Sequence, residues 1–415
     1  MFRFILSGLV SAVVLIGPVA AAPKGPPGAT ATELIALARQ LSPEVAAAAL
    51  TAEAATARII SAGALPDPTL RVDADNLDSR NVSMNGPTYT LRLMQEFPLW
   101  GKRELKSDMA NFEATAARFR SQSAQLDLVA RVKSVFAARY ATFRAQALTQ
   151  KARDTVLTAA ATLRDRYAQG GTTQEDVLRL EIEAEELQIE IERLRGQETK
   201  TEAQLNALLN RSPNAPLAIP VALRPLPVET KLNVAILVAR AVKLNPTIAE
   251  ADAKAGSANV AQTLAERNRY PDVSLGVMTT RDRSGYAGSG VMGEVHVPLQ
   301  WGAKEAEVSA ASAERAAAEQ RLIALRVTLR GEVAGMLAVY RATAKNLDIL
   351  QQHHLPKSEQ VVQLALTALQ AGQGDVLRVL DAIRRVRNVQ LEILKIQIEQ
   401  QTSLAEIEKA IGSDL

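Results

Sequence analysis

Phe97-Pro98-Leu99-Trp100-Gly101-Lys102 and Val297-Pro298-Leu299-Gln300-Trp301-Gly302-Ala303-Lys304 are two versions of one phrase, and they hold the only two tryptophans of the 415-residue chain. Other landmarks recur around them in the same order. Ser42-Pro43 corresponds to Asn245-Pro246, and Pro66-Asp67-Pro68-Thr69-Leu70 to Tyr270-Pro271-Asp272-Val273-Ser274-Leu275. Gly170 followed by Asp176-Val177-Leu178-Arg179 corresponds to Gly372 followed by Asp375-Val376-Leu377-Arg378. A shared order over most of the length makes the chain an internal duplication. Two copies give a pseudo-twofold unit and not a solenoid, which takes roughly three repeats to bury a core.

Upstream of each Trp-Gly the polarity alternates residue by residue. Leu70, Val72 and Ala74 alternate with Arg71, Asp73 and Asp75, and after a polar loop Tyr89, Leu91 and Leu93 alternate with Thr90 and Arg92. In the second copy Val273, Leu275 and Val277 alternate with Ser274 and Gly276, then Val291, Gly293, Val295 and Val297 with Met292, Glu294 and His296. This spacing predicts two strand pairs, each strand about 9–10 residues long, the length that crosses a bilayer when tilted.

Downstream of each Trp-Gly the apolar spacing becomes helical, about 3.5 residues per turn. Leu105, Met109, Phe112, Ala116 and Phe119 open one stripe, which resumes through Leu126, Val129, Phe136, Tyr140 and Phe143. Leu322, Leu325, Leu329, Val333, Met336, Tyr340, Leu347 and Leu350 form the other. A glycine turn ends each long helix, at Gln169-Gly170-Gly171-Thr172 and at Ala371-Gly372-Gln373-Gly374. The returning helices carry Val177, Leu180, Ala184, Leu187, Ile191 and Leu194, and Val379, Ile383, Val386, Val389, Ile393 and Ile396. These are antiparallel coiled-coil hairpins. Alanine-rich helices at Thr32–Leu41 and Pro43–Ala64 precede the first strand pair.

The first repeat covers about 23–228, with strands near 69–97, a helical hairpin near 101–210 and a proline-rich linker at 211–228. The second covers about 229–415, with strands near 272–297 and a hairpin near 303–412. Met1–Ala22 has Arg3, an apolar run from Phe4 to Ile16 and Ala20-Ala21-Ala22, the pattern of a secretory signal peptide. Cysteine is absent, which excludes disulfides, thiolate metal sites and a lipidated cysteine. With 48 Lys plus Arg against 45 Asp plus Glu and the signs interleaved along helices, no basic patch suits nucleic acid.

After the signal no run of about 18 apolar residues is expected, so entry into a membrane requires a closed β-barrel. Four strands cannot close one. Two chains would give about eight strands, whose interior side chains nearly fill, whereas three give about twelve and leave a water-filled lumen. Arg71, Asp73, Arg92, Glu294 and His296 would face that lumen. Trp100 and Trp301 fall just past the last strand residues, where amphipathic indoles sit at headgroup depth.

At the duplicated Pro-Asp, Pro-Leu-Trp-Gly and Gly…Asp-Val-Leu segments the chain resembles the TolC-type outer-membrane channels of tripartite efflux systems. The resemblance spans nearly all of the mature chain. It implies a mainly α fold with a small β part: a homotrimer whose hairpins form a periplasmic α-barrel and whose strands form a twelve-stranded outer-membrane barrel. It also implies a passive exit duct for metal cations or drugs, partnered by a periplasmic adaptor and an inner-membrane pump of the resistance-nodulation-division type. Leu65-Pro66-Asp67-Pro68-Thr69-Leu70 and Gln95-Glu96-Phe97-Pro98-Leu99-Trp100-Gly101-Lys102-Arg103 look more like the heavy-metal branch.

The resemblance places the periplasmic gate at the hairpin tips, on Asp375, Arg378, Asp176 and Tyr167, with Gly170, Gly171, Gly372 and Gly374 as the adaptor-contact tips. Asp375 matches the first of two ringed aspartates in the family, and Arg378 stands where the second would be, which permits an Asp375–Arg378 pair. Read without the resemblance, Asp176 and Asp375 are acidic residues in a helix's first turn, favoured by the macrodipole.

Other signals lead nowhere. Gly288-Ser289-Gly290-Val291-Met292-Gly293 leads into strand alternation and does not open a helix, so it is a hairpin arm and not a dinucleotide loop. His353-His354 are adjacent on a helix and point apart, His296 is lumenal, and the acidic run around Glu183 is a solvated face. No cofactor, metal site or enzymatic activity is expected. Two alternatives are the exit duct of a type I protein secretion system and a periplasmic coiled-coil adaptor; adaptors flank a single hairpin with lipoyl-like and β-barrel modules.

Overall fold

The computed structural model describes residues 25–75, 87–282 and 285–415. The signal-peptide segment Met1–Ala22 and most of the loop joining the first two strands lie outside the described residues. In the first copy α1 (Ala31–Leu41) and α2 (Pro43–Gly63) lead to β1 (Thr69–Asp75) and β2 (Thr88–Phe97), then to α3 (Lys102–Ala168) and α4 (Gln174–Leu208). In the second, α5 (Val234–Leu244) and α6 (Pro246–Arg267) lead to β3 (Asp272–Arg281) and β4 (Ala287–His296), then to α7 (Trp301–Ile349), α8 (Leu355–Gln370) and α9 (Val376–Ile411).

The duplication extends to helix chemistry. Ser42 and Asn245 cap α2 and α6, each followed by a proline in the first turn, where its missing N–H costs nothing. The Asn245 side-chain oxygen accepts from Thr247 N at 2.7 Å. At 67 residues α3 is unbroken and about 100 Å long. Its counterpart is interrupted: a π-helical turn at Leu350–His354 separates α7 from α8. Pro356 supplies the reason, because it has no N–H and its ring crowds the preceding turn, so a wider turn takes up the displaced bonds.

The stripes of α4 and α9 are buried as the spacing predicts, except that Val386 is half-buried. The α3 stripe differs. Leu105, Met109 and Phe119 are half-buried and Phe112 is exposed, whereas Ala110, Ala114 and Ala116 are buried. This helix packs against both α2 and α6, so its small residues occupy the contact and its bulky ones the margins. One expectation is corrected: α2, with 21 residues, is long and apolar enough by length and composition to cross a membrane. It lies instead along α3, where Arg131 pairs with Glu44 and Arg103 donates to the Gly63 carbonyl at 2.8 Å. Its hydropathy comes from alanine, whose short side chain suits close helix packing.

All four strands form one antiparallel sheet in the order β1-β2-β3-β4. The two hairpins therefore meet at β2–β3, and β1 and β4 are its edges. Register sorts the faces. Leu70, Leu93, Val277 and Val291 share one row, while Arg71, Arg92, Met278 and Gly290 share the next, on the opposite face. All four members of the apolar row are exposed.

Near the middle of the helical part a buried ion cluster joins the two copies. Lys133 Nζ lies 2.7 Å from Glu408 Oε2 and 2.5 Å from Asp414 Oδ1, and Arg224 approaches Glu408 at 2.9 Å. The Lys133 side chain is 4% exposed, so removing it leaves a buried carboxylate short of a partner. Lys133→Met should lower unfolding stability in denaturant titration by about 3–5 kcal/mol. Arg193→Ala, which breaks an exposed pair with Glu190, should cost less than about 1 kcal/mol.

Candidate functional site

Two regions collect the residues singled out by the sequence: the strand-to-helix corner and the hairpin tips. At the corner the first copy's Pro-Leu-Trp-Gly docks onto the second copy's Tyr-Pro-Asp. Asp272 accepts from Leu99 N at 2.9 Å and from Lys102 Nζ at 2.7 Å, and Lys102 also donates to the Tyr270 carbonyl. Trp100 Nε1 donates to the Pro271 carbonyl at 2.8 Å, and its ring lies 5.1 Å from that of Tyr270. Trp100 and Gly101 both take left-handed backbone, at φ 62° and 73°, which turns the chain sharply from β2 into α3. Trp100 is thus half exposed and also a corner residue. Trp301 opens α7 and is more exposed, at 59%.

At the first tip, α3 ends in paired backbone bonds from Gly170 N to Tyr167 O and from Gly171 N to Arg166 O, with Gly170 at φ 75°. Thr173 caps α4. The Asp176 carboxylate accepts from the Thr173 and Thr172 hydroxyls at 2.8 and 3.0 Å. Burial pushes its pKa up, but these two hydroxyls, the Thr173 backbone bond and the charge of Arg179 together hold it below the usual aspartate value. Tyr167 is exposed beside this turn.

At the second tip Gly372 sits at φ 79°, and Asp375 caps α9 by accepting from Leu377 N at 3.0 Å. Arg378 is exposed, and it forms no ion pair with Asp375 among the described residues. The pair that the sequence permits is therefore not made, because the carboxylate is turned to the helix N-terminus.

What unites the tips is a residue that the sequence did not single out. Arg166 Nη1 donates to the Leu369 carbonyl at 2.9 Å, and Nη2 reaches the Gly171 carbonyl at 3.4 Å. A Cβ on Gly372 would lie only 2.8 Å from Nη2, so glycine there serves both the turn and the arginine. Beneath them Leu163, Val177, Leu180, Leu369, Val376 and Val379 form one core across both hairpins. Lower still, Arg384 of α9 pairs with the buried Glu183 of α4. The charge at position 183 belongs to this pair, which corrects its reading as part of a solvated face. Arg166 and Arg384 were indistinguishable from the many other helix-surface arginines, since nothing local marks a partner some 200 positions away.

The model of the outer membrane efflux protein family matches residues 34–211 and 237–413, once in each copy. The chain belongs to the outer membrane efflux protein family. That family is one of channels, and the chain is an outer-membrane efflux channel with a large periplasmic helical part. Among solved structures, VceC from Vibrio cholerae is 21% identical with a TM-score of 0.79, covering 92% of this chain and 96% of that one. CusC is 17% identical with a TM-score of 0.81, covering 92% of each chain. A Pseudomonas aeruginosa membrane protein is 21% identical with a TM-score of 0.81, covering 94% and 91%. These likenesses carry the fold, including strands, hairpins and duplication, and the family assignment removes the adaptor alternative. The curated proteins yield no sequence match.

The Arg166 bond to the Leu369 carbonyl is the one polar tie between the two tips among the described residues, so its loss should loosen the second one selectively. Arg166→Ala should speed amide hydrogen exchange at Ala371–Gly374 by about tenfold, the worth of one charged hydrogen bond. Exchange at Ala184 and Leu187, in the core of α4, should not change.

Proposed function

We propose that three copies of the chain close into a passive duct, through which solutes handed over by an inner-membrane pump and a periplasmic adaptor leave the cell. The observation that carries this reading is a four-stranded sheet with both edges open and one face an exposed apolar row. In hydrocarbon each unpaired edge N–H or C=O costs several kcal/mol, so the sheet is unsound until copies join. About twelve strands leave a lumen, and the Arg71, Arg92 and Glu294 face then lines water.

The tips form the periplasmic gate in this reading, with Asp176 and Asp375 at its two turns and the glycines presenting backbone to adaptor hairpins. The chain performs no chemistry, and the energy comes from the pump. Metal cations and drugs are the two solute classes to separate, by the sensitivity of a deletion strain to panels of each.

In planar bilayers the Asp176→Ala and Asp375→Ala double variant should raise single-channel conductance severalfold. Asp375→Asn keeps a good helix cap and removes only charge, so it separates electrostatics from loosening of the turn. Unchanged conductance in the double variant would remove both residues from the gate.

A further inference from the structure

The internal duplication dictates how the open edges meet. Placing Pro66-Asp67 on Pro271-Asp272 and Pro98-Leu99 on Pro298-Leu299 carries the β1–β2 pair Thr69↔Met94 onto Ser274↔Glu294, which is the pair found in β3–β4. The two hairpins therefore share one register, residue for residue. The β2–β3 junction, where Leu93 faces Val277 and Met94 faces Gly276, is the contact between consecutive hairpins. In a closed ring the contact after β4 is the same junction, now made between chains.

We infer that β4 of one copy pairs antiparallel with β1 of the next in this register: Gly293 opposite Val72, Glu294 opposite Arg71 and Val295 opposite Leu70 of the neighbouring copy. The inference rests on the trimeric reading above and adds its interface. Two independent features agree with it. First, Val72, Leu70, Gly293 and Val295 all belong to the apolar face, and Arg71 and Glu294 to the polar one, so the join keeps both faces continuous. A slip of one residue would turn the charged row into lipid.

Second, the join pairs opposite charges. Among the described residues Glu294 is exposed and has no partner, and Arg71 is held by Asp73 alone, two places along its own strand. A slip of two residues preserves the faces but sets Glu294 against Asp73 or against Thr69. The first is repulsive and the second uncharged, so charge selects one register of the three.

The corner extends the same logic. Within the chain Asp272 takes the Leu99 N–H and Lys102. Its repeat partner Asp67 is exposed and without a partner among the described residues, and it would take the equivalent Leu299 N–H from the preceding copy, with Lys304, one place beyond the position that matches Lys102, as the nearest lysine to pair with it. Lys304 lies three residues beyond the first residue of α7, on the same helix face, and among the described residues its ion pair is with Glu307, within its own helix.

Because the chain has no cysteine, introduced pairs report cleanly. Glu294→Cys with Arg71→Cys, oxidised in detergent micelles, should yield a covalent trimer on a denaturing gel, while Glu294→Cys with Asp73→Cys or with Thr69→Cys should not. Efficient cross-linking of either shifted pair overturns the register. No cross-link from any pair in a protein whose native mass is three chains overturns the edge pairing and leaves the trimer standing. A native mass of one chain overturns the trimer itself. Independently, Glu294→Arg or Arg71→Glu alone should reduce detergent-resistant trimer severalfold, and the two combined should recover it; failure to recover counts against the ion pair.

Discussion

The structure depends on one requirement, that every backbone N–H and C=O at membrane depth finds a partner. A single chain satisfies it along β2 and β3 and fails along the outer edges of β1 and β4. Duplication makes the failure periodic, so the same junction that joins the two hairpins can join successive chains. Side-chain bonds accordingly tie the corner where the copies meet. There Asp272 fixes both the Leu99 N–H and the buried Lys102. Fixing that corner fixes the angle at which a 67-residue helix leaves the sheet, and an angular error there would be multiplied along about 100 Å.

The helical part shows the same incompleteness. Leu178, Ile182 and Ile189 lie on one face of α4 by their spacing and are exposed, as are Val361 and Leu364 of α8. Inside the chain the hairpins are aligned by buried polar contacts, of which Arg384 with Glu183 and Lys133 with Glu408 are the clearest. Such pairs add little net stability relative to apolar packing, but a misaligned hairpin would leave a charge buried alone, so they select one alignment. The many exposed pairs along single helices, such as Arg179 with Glu175, have no such power.

Much of this was legible in the sequence because it is encoded by neighbours. Period-two alternation matched β1 nearly to the residue and marked the middle of β2, the first half of β3 and the second half of β4, and the spacing of Val177, Leu180, Ala184 and Leu187 defined the buried face of α4. Gly170 and Gly372 marked the turns because only the left-handed backbone there calls for them. What stayed hidden is encoded by distant partners. Arg166 is an ordinary arginine in a last helical turn until Leu369 is folded against it. Phe112 kept the heptad spacing but ended exposed, because α3 has neighbours on two sides and alanine took the contact. The π-helical turn could have been read from Pro356, whose lack of an N–H was visible in the chain.

At the tips, capping a helix leaves an aspartate its charge. A carboxylate that caps a helix spends one oxygen on a backbone N–H, as Asp375 does with Leu377, and keeps its charge at the turn. The cap therefore fixes where that charge stands. Arg378, exposed and unpaired with it, adds the opposite sign one helical turn on, since residues three apart share a face. At the other turn Asp176 is kept ionised by its threonine hydroxyls, while Arg179 is engaged by Glu175. A ring built from three such chains has its fixed negative charge on the Asp176 turn and a balanced pair of signs on the Asp375 turn. The two turns thus differ in charge although both carry Asp-Val-Leu.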